Sequence, residues 1–292
     1  IPNGSIMSNL EAVYLNGNYS SKHQTSLSIL DRGFLFGDGV YELIPIYNKH
    51  IFYVENHLHR LKSSLELINI DPSIVDDDLF IKIINSLIDR NDYINHYIYI
   101  HISRGVDKTR NHIYSKECEP TILIMGENYE PFDKNTIELG KKAIIEEDYR
   151  WLKSNIKSTS LLANVLIKNK AYANDAYEAL LLRDEYLTEG SASNVFIIDN
   201  GVIKTPRLSN KLLPGITRKF LTDLIMQNNL DFEECDIHKD LLLSADEIFC
   251  SSSTNPVVPI TQLDNNIISD KAGPISMELY EHAQQFIKDI YK

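Results

Sequence analysis

Short strand patterns and amphipathic helix patterns alternate along the first half of this sequence. Residues 97–103 place Ile98, Ile100 and Ile102 at every second position, which predicts a strand with one buried face. Residues 57–68 and 76–90 instead bring apolar side chains together every three or four positions, which predicts two helices. The apolar faces comprise Leu58, Leu61, Leu65 and Ile68 in the first helix and Leu79, Phe80, Ile83, Ile84, Leu87 and Ile88 in the second. The chain is therefore predicted to have a mixed α/β (α+β) fold.

The second half continues this alternation. Strands are predicted at residues 136–146, 178–183, 194–198, 202–205 and 247–251, and helices at 215–228 and 274–291. A further helix is expected after the Ser-Thr-Ser run 158–160, whose hydroxyls suit a helix cap. The apolar positions of this helix are Leu161, Leu162, Val165 and Leu166. Asn200-Gly201 predicts a tight hairpin between two of the strands.

The length of the chain predicts two domains. Its 292 residues exceed the usual size of one domain, which is about 100 to 200 residues. A polar stretch with Pro131 follows the apolar strand pattern at 121–125. We therefore expect a small N-terminal α/β domain at 7–126, a linker at 127–135 and a larger C-terminal domain at 136–292.

The composition excludes several classes of function. Acidic residues outnumber basic ones by 41 to 29, and the net charge of -12 disfavours a nucleic-acid partner. No apolar run approaches the roughly 18 residues that a membrane span needs. The three cysteines are widely spaced and form no Cys-x-x-Cys, and no two histidines have the spacing of metal ligands, so neither a disulfide framework nor a metal site is predicted. A cytoplasmic enzyme fits these observations.

Two separate residues have the chemistry that a pyridoxal cofactor needs. Lys157 lies in Asn-Ile-Lys-Ser-Thr-Ser-Leu-Leu (155–162), and Glu189 lies in Leu-Thr-Glu-Gly-Ser-Ala-Ser-Asn (187–194). An amine can form an imine, and a carboxylate can hold a pyridine nitrogen protonated. Taken singly, a solvated surface lysine and a turn glutamate are the simpler interpretations. Ile156 and the Leu161-Leu162 pair favour partial burial of Lys157.

Two segments have the features of phosphate sites. In residues 212–218, Pro214-Gly215 precedes a predicted helix whose first amides and the Thr217 hydroxyl converge. Residues 251–254 offer a row of hydroxyls after a predicted strand. An ordinary helix cap and a polar loop are the alternatives. The three glycines in residues 31–42 lack dinucleotide-binding spacing, and we interpret them as permitting close packing behind a cofactor.

The order of these motifs resembles the fold-type IV pyridoxal-phosphate enzymes. The resemblance runs from about Leu10 to the C-terminus and rests on residues 31–42, 57–61, 156–158, 188–196 and 215–218. It implies a two-domain fold with pyridoxal 5'-phosphate between the domains, Lys157 as the imine-forming and proton-moving lysine, and Glu189 as the partner of the pyridine nitrogen. The remaining cofactor-binding residues that it implies are Arg60, Ser193, Asn194, Ile216, Thr217, Ser252, Ser253 and Thr254.

One loop distinguishes members of this family by substrate. Arg110 and His112 form an Arg-x-His that resembles the carboxylate trap of D-amino acid aminotransferases, where it meets a tyrosine matching Tyr41 across a dimer interface. The resemblance thus implies a homodimer that transfers the amino group of D-alanine and other D-amino acids to 2-oxoglutarate by a ping-pong mechanism. A solvated polar loop is the alternative interpretation of Arg110 and His112.

Three other functions stay open, and three positions depart from expectation. A branched-chain L-aminotransferase, an aminodeoxychorismate lyase and a non-catalytic protein that binds the cofactor are the alternatives. The loop bearing Arg110 is one residue longer than the family pattern. Ala192 replaces a common serine, which predicts a lost hydrogen bond near the cofactor. Pro45 predicts a sheet edge or a bulge within a strand.

Overall fold

A computed structural model describes residues 11–91 and 95–290 of the chain. Contacts within it divide the chain into two compact units. The first unit runs to Tyr129 and also includes Lys157–Ser160, and the second comprises Glu130–Ile156 and the chain from Leu161 onward. Residues 7–10 of the predicted N-terminal domain and residue 291 of the predicted last helix lie outside the described residues. The predicted domain limits stay a prediction.

The first unit contains a six-stranded antiparallel sheet in the order β2-β1-β6-β5-β3-β4. Its strands are β1 (Ala12–Leu15), β2 (Asn18–Ser21), β3 (Gly39–Tyr47), β4 (His50–Ile51), β5 (His96–Ser103) and β6 (Thr121–Asn128). The predicted alternation in β5 is confirmed, because Ile98, Ile100 and Ile102 are buried. The register between β3 and β5 is continuous from Gly39 to Ile46, so the bulge that Pro45 suggested is absent there. Pro45 lies just before the two residues of β3 that pair with β4.

In its described residues, the first unit has the α-helices α1 (Arg32–Phe36), α2 (Val54–Leu67) and α3 (Asp77–Arg90). The Asp76 side chain caps α3 by accepting a hydrogen bond from the Leu79 amide. The predicted apolar faces of α2 and α3 are buried, with two exceptions. Leu79 is 49% exposed because it lies in the solvent-facing first turn of α3, and Ile68 falls beyond the end of α2.

The second unit contains a nine-stranded mixed sheet in the order β12-β11-β10-β13-β14-β7-β8-β9, with β15 paired to β14. Its elements are α4 (Lys134–Leu139), β7 (Lys141–Glu147), α5 (Leu162–Ala173), β8 (Glu178–Arg183), β9 (Tyr186–Gly190), β10 (Asn194–Asp199), β11 (Val202–Pro206), α6 (Ile216–Gln227), β12 (Phe232–Cys235), α7 (Lys239–Leu243), β13 (Glu247–Ser251), β14 (Val258–Leu263), β15 (Asn266–Ile267) and α8 (Pro274–Ile290). The hairpin prediction is confirmed, since Asn200 and Gly201 have positive φ and join the antiparallel strands β10 and β11.

Two predictions for the second unit are wrong. Residues 136–146 are not one strand, because Asp133 accepts a hydrogen bond from the Thr136 amide and starts α4 before β7. The Ser-Thr-Ser run does not cap α5, which begins after Leu161 without a side-chain cap. The Thr159 and Ser160 hydroxyls instead donate to the Gly37 carbonyl.

The buried face of α5 also differs from the prediction. Leu162, Val165 and Leu166 are each more than half exposed, whereas Ile167 and Ala171 are buried. These two side chains belong to a core cluster with Ile144, Ala176, Ala179 and Leu181. The small Ala171 side chain allows α5 to approach the sheet closely, so this face is the buried one. No helix of the described part of the chain is long and apolar enough to cross a membrane.

Candidate active site

The segment that carries Lys157 extends the first unit's sheet beside β3. The Tyr41 amide donates to the Lys157 carbonyl at 2.9 Å, and Val40 forms a bridge with Ser158. The Lys157 amide donates to Ser64 Oγ on α2 at 3.2 Å. Gly37 ends α1 with a φ of 64°, and a Cβ there would lie 2.6 Å from Ser160 Oγ. The main chain of Lys157 is therefore fixed on several sides.

The amine of Lys157 faces an aromatic ring. Its Nζ lies 4.3 Å from the centroid of the Tyr41 ring, and the Tyr99 ring lies 5.7 Å from that of Tyr41. The Tyr99 hydroxyl is 3.1 Å from His101 Nδ1. Burial lowers the pKa of His101, so this ring is neutral near pH 7. A neutral polar surface thus lies beside the lysine.

A buried carboxylate holds Arg60 on the other face of the same strand. Glu42 accepts hydrogen bonds from Arg60 Nε at 2.9 Å and from Arg60 Nη2 at 2.6 Å. His57 Nδ1 lies 3.1 Å from Glu42 Oε1. Burial by itself raises the pKa of Glu42, but Arg60 and His57 more than offset it, so this pKa lies well below its usual value. Glu42 therefore holds the Arg60 guanidinium in place on α2, one turn before Ser64, whose hydroxyl contacts the Lys157 amide.

Glu189 lies at the end of β9 in the second unit and is buried beside an arginine. Arg150 Nη1 donates to Glu189 Oε1 at 2.6 Å. Arg150 Nε and Nη2 donate to the two carboxylate oxygens of Asp148, which also accepts a hydrogen bond from Thr188 Oγ1. Arg183 Nη2 lies 3.1 Å from Asp148 Oδ1. A chain of paired acidic and basic side chains therefore runs from Arg183 through Asp148 and Arg150 to Glu189.

The second oxygen of Glu189 faces the turn before α6. Glu189 Oε2 accepts hydrogen bonds from the Leu213 amide at 3.0 Å and from Asn194 Nδ2 at 3.3 Å. A Cβ on Gly215 would lie 2.0 Å from Asn194 Oδ1, so only glycine permits this approach. Burial raises the pKa of Glu189 to about 7, although Arg150 acts in the opposite direction. A cation placed beside this carboxylate would stabilise its ionised form.

The other predicted cofactor residues of the second unit lie along the same end of the sheet. Asn194 pairs with Ser251, the residue before Ser252, Ser253 and Thr254. Ser252 Oγ lies 3.5 Å from Thr254 Oγ1, and the Ser252 amide donates to the Asn255 carbonyl. Ile216 and Thr217 are the first residues of α6, where backbone amides point away from the helix and favour an anion. Ser193 Oγ donates to Glu178 at 2.8 Å.

The predicted substrate residues Arg110 and His112 are exposed. His112 packs against the Phe36 ring at 5.3 Å, and the Arg110 guanidinium lies 5.1 Å from the same ring. Buried Arg32 donates to the carbonyls of Asn111 and His112 and so anchors this loop. Within the described part of the chain, no hydrogen bond or ring contact joins Arg110 or His112 to Tyr41.

Several residues that surround the predicted site residues in each unit were missed in the sequence. They are Glu42, His57, Asp148, Arg150 and Glu178. Glu42 lies 18 positions before Arg60, and Arg150 lies 39 positions before Glu189. Residues so far apart in the sequence form no local pattern from which their contact could be predicted. The one available signal was Asp148 and Arg150 themselves, since charged residues rarely stand at the end of a buried strand without partners.

The donors and acceptors present fit pyridoxal 5'-phosphate. A carboxylate offers about four acceptor positions, and Arg150, Leu213 and Asn194 use three of those on Glu189. One position therefore remains for a ring N–H. Lys157 supplies an amine, and the start of α6 supplies amides for a phosphate. Among residues 11–91 and 95–290, no group of His, Cys, Asp and Glu side chains suits a metal ion.

Comparisons with known proteins agree with this chemistry. Residues 39–263 match the family model described as amino-transferase class IV. The D-alanine aminotransferase of Staphylococcus aureus strain N315 is 38% identical over 282 residues, which cover 96% of this chain and 99% of that protein. The D-alanine aminotransferase of Listeria monocytogenes serotype 1/2a strain 10403S is 36% identical and covers 95% of this chain and 96% of its own length.

The fold also resembles that of a solved aminotransferase structure. The branched-chain amino acid aminotransferase of Escherichia coli superposes with a TM-score of 0.88 at 20% identity, covering 96% of this chain and 95% of that one. An identity this low supports the fold alone, which agrees with the predicted mixed α/β class. The chain belongs to the class IV amino-transferase family and is an aminotransferase.

Proposed function

We propose that this aminotransferase acts on D-amino acids, with D-alanine as donor, 2-oxoglutarate as acceptor and pyridoxal 5'-phosphate as cofactor. The observation that carries the proposal is the near full-length similarity to D-alanine aminotransferases, at 38% identity over 96% of the chain. The Arg-x-His of residues 110–112 supports it, because it offers a cation and an imidazole to a substrate carboxylate. A cytoplasmic location stays a prediction from the sequence.

Lys157 moves protons in this proposal. When bound, the cofactor supplies an aldehyde for the amino group and withdraws electrons from the substrate α-carbon. The Lys157 amine is the base that would take the proton from the substrate α-carbon and pass it to the carbon that carries the cofactor's aldehyde. Its fixed main chain and the Tyr41 ring beneath Nζ restrict the directions from which the amine can approach. Binding of the substrate carboxylate by Arg110, His112 and Tyr41 would fix which face of the α-carbon meets this amine.

Each unit offers groups that would bind a part of the cofactor. In the second unit, the Glu189 carboxylate would accept the ring N–H and keep that nitrogen protonated, while Arg150 keeps the carboxylate in place. The first amides of α6 and the hydroxyls of residues 252–254 would bind a phosphate. In the first unit, Arg60, oriented by Glu42, is a further group that would bind a phosphate. Ser193 and Asn194 complete the wall beside Glu189.

We also propose a homodimer in which Arg110 and His112 act in the site of the other subunit. Both side chains are exposed and make no contact with Tyr41 of their own chain among the described residues. Phe34 on α1 is 75% exposed and Ile113 on the same loop is 81% exposed. A second subunit that covers these apolar side chains would remove them from water.

Mixing two variants tests this arrangement. Tyr41→Phe and Arg110→Ala each impair every site of their own homodimer. If the sites are shared, mixed dimers regain one intact site, and random exchange gives about a quarter of wild-type activity. If Tyr41 and Arg110 act within one chain, or if the protein sediments as a monomer, mixing restores nothing and the dimer proposal is wrong.

The substrate assignment is tested by product analysis. The holoenzyme is incubated with D-alanine and 2-oxoglutarate, and the pyruvate and the configuration of the glutamate formed are measured. We expect pyruvate and D-glutamate in equal amounts. L-glutamate from L-leucine, with no reaction of D-alanine, would identify a branched-chain enzyme. Pyruvate released from aminodeoxychorismate without an amino acceptor would identify a lyase, and no turnover of any of these would identify a protein that only binds the cofactor.

A further inference from the structure

Glu178, at the start of β8, is a buried carboxylate with no assigned role. Glu178 is 1% exposed. Moving a carboxylate charge out of water costs several kcal/mol unless partners compensate for the loss of hydration. Glu178 Oε1 accepts hydrogen bonds from the amide and the hydroxyl of Ser191. Glu178 Oε2 accepts from Ser193 Oγ at 2.8 Å and from the Ala192 amide at 3.4 Å. One carboxylate thus binds all three residues that connect β9 to β10.

The turn closes tightly around this carboxylate. The Gly190 amide donates to the Ser193 carbonyl at 2.7 Å. A Cβ on Gly190 would lie 2.3 Å from Ser193 Oγ and 3.1 Å from Glu178 Cγ, so a side chain at this position would displace one of them. The glycine and the two serines of this motif are therefore all explained by contacts with Glu178.

The turn places Asn194 against Glu189. These two residues lie on either side of the turn, and Asn194 Nδ2 donates both to Glu189 Oε2 and to the Leu213 carbonyl. A shift of the turn would therefore move the amide that orients the Glu189 carboxylate. Glu178 touches neither Glu189 nor Asn194 among the described contacts, so it acts through the turn alone.

The position of Ala192 is consistent with this role. Its side chain is exposed, and only its amide reaches Glu178. The hydrogen bond that the sequence predicted to be lost at Ala192 is therefore not part of this network. Lys168 Nζ on α5 lies 3.3 Å from Glu178 Oε1 and adds a positive charge beside the carboxylate.

We propose that Glu178 is a positioning residue of the cofactor site: its carboxylate fixes the turn 191–193 and thereby the hydrogen bond between Asn194 and Glu189. This inference rests on the proposed binding of pyridoxal 5'-phosphate. It assigns the Glu178 carboxylate no contact with the cofactor or the substrate. Its loss is therefore expected to weaken cofactor binding and to alter the environment of the ring nitrogen.

The test compares Glu178→Gln with Glu247→Gln. Glutamine keeps the size of the side chain but presents an NH2 group to the Ala192 amide or to the Ser191 amide, where an acceptor is needed. Glu247 is a matched control, because it is a buried strand carboxylate of the same unit that accepts from the Ile275 and Ser276 amides instead. Both variants should lose stability in urea. Only the first is expected to lose cofactor affinity.

Two quantities are measured on apoprotein titrated with pyridoxal 5'-phosphate: the dissociation constant and the pH dependence of the visible absorption band. For Glu178→Gln we expect about tenfold weaker binding or more, as for loss of a charge-assisted hydrogen bond, and a displaced pH dependence. A merely structural role would leave the pH dependence as in Glu247→Gln. Wild-type affinity and an unchanged pH profile in folded Glu178→Gln would overturn the inference.

A second variant covers the case in which Glu178→Gln does not fold. Ser193→Ala removes one hydroxyl from the network, and about threefold to tenfold weaker cofactor binding is expected for a neutral hydrogen bond. Wild-type affinity in this variant would also overturn the inference. Failure of the wild-type protein itself to bind the cofactor would instead overturn the proposed function, so the two failures are distinguishable.

Discussion

The titration of Glu189 gives a quantitative prediction for the protein without cofactor. Burial raises the pKa of this carboxyl from its usual 4.5 to about 7 in the folded chain. Between pH 4.5 and pH 7, Glu189 has lost its proton in the unfolded chain but still holds it in the folded protein. Raising the pH therefore destabilises the folded state, since the state that binds more protons is weakened as protons are withdrawn. Glu189→Gln has no proton to lose and is expected to lack this loss of stability.

The size of the effect follows from the two pKa values. At about 1.4 kcal/mol for each pH unit, the contribution of Glu189 to the free energy of unfolding falls by about 2 to 3 kcal/mol between pH 5 and pH 8. Other groups titrate alike in both proteins, so the difference in stability between Glu189→Gln and the wild type isolates this carboxyl. We expect that difference to shift by about 2 to 3 kcal/mol in favour of the variant as the pH rises.

Urea unfolding of the two apoproteins at a series of pH values measures the difference. The chain has one tryptophan, Trp151, and it adjoins Arg150, so its fluorescence reports on this unit. A constant difference from pH 5 to pH 8 would show that Glu189 does not titrate near neutrality. A shift in favour of the wild type would show that Arg150 outweighs burial and that the pKa of Glu189 is lowered.

Three further substitutions test the site. Lys157→Ala should reduce transamination about a thousandfold, because the base that moves the α-proton is lost. Arg110→Ala should raise the KM for D-alanine about tenfold to a hundredfold, as expected for a lost charge-assisted pair, and leave cofactor affinity unchanged. Ala192→Ser should leave cofactor affinity within about twofold, since a hydroxyl on this exposed side chain meets solvent. Steady-state kinetics and cofactor titration measure all three.

For each of these substitutions, one result would contradict the role proposed for the residue. Full activity in Lys157→Ala would show that Lys157 is not the base that moves the α-proton. Loss of cofactor rather than of substrate affinity in Arg110→Ala would contradict a carboxylate-binding role. A large gain in cofactor affinity in Ala192→Ser would show that a serine at this position takes part in the network around Glu178.

Local patterns in the sequence predicted the elements that local forces decide. The hairpin at Asn200-Gly201 follows from residues that tolerate positive φ. The strand β5 follows from strict alternation, and α3 follows from its apolar period. The strand predicted at 136–146 failed because the cap at Asp133 competes with a strand-like composition.

Contacts between distant positions could not be predicted in this way. The face of α5 was predicted wrongly because large apolar side chains lie on both sides of the helix, and only the neighbouring sheet decides that Ile167 and Ala171 are buried. The partners of the predicted site residues were missed for the same reason. Arg150 and Glu178 reach Glu189 and its turn only after the strands have paired.

The most direct test of a D-specific aminotransferase is the half-reaction with one amino acid at a time. The visible absorption of the holoenzyme is recorded, and D-alanine and L-leucine are added to separate samples. We predict that D-alanine alone bleaches the band of the lysine-bound cofactor and releases one pyruvate for each site. Bleaching by L-leucine and none by D-alanine would contradict the account.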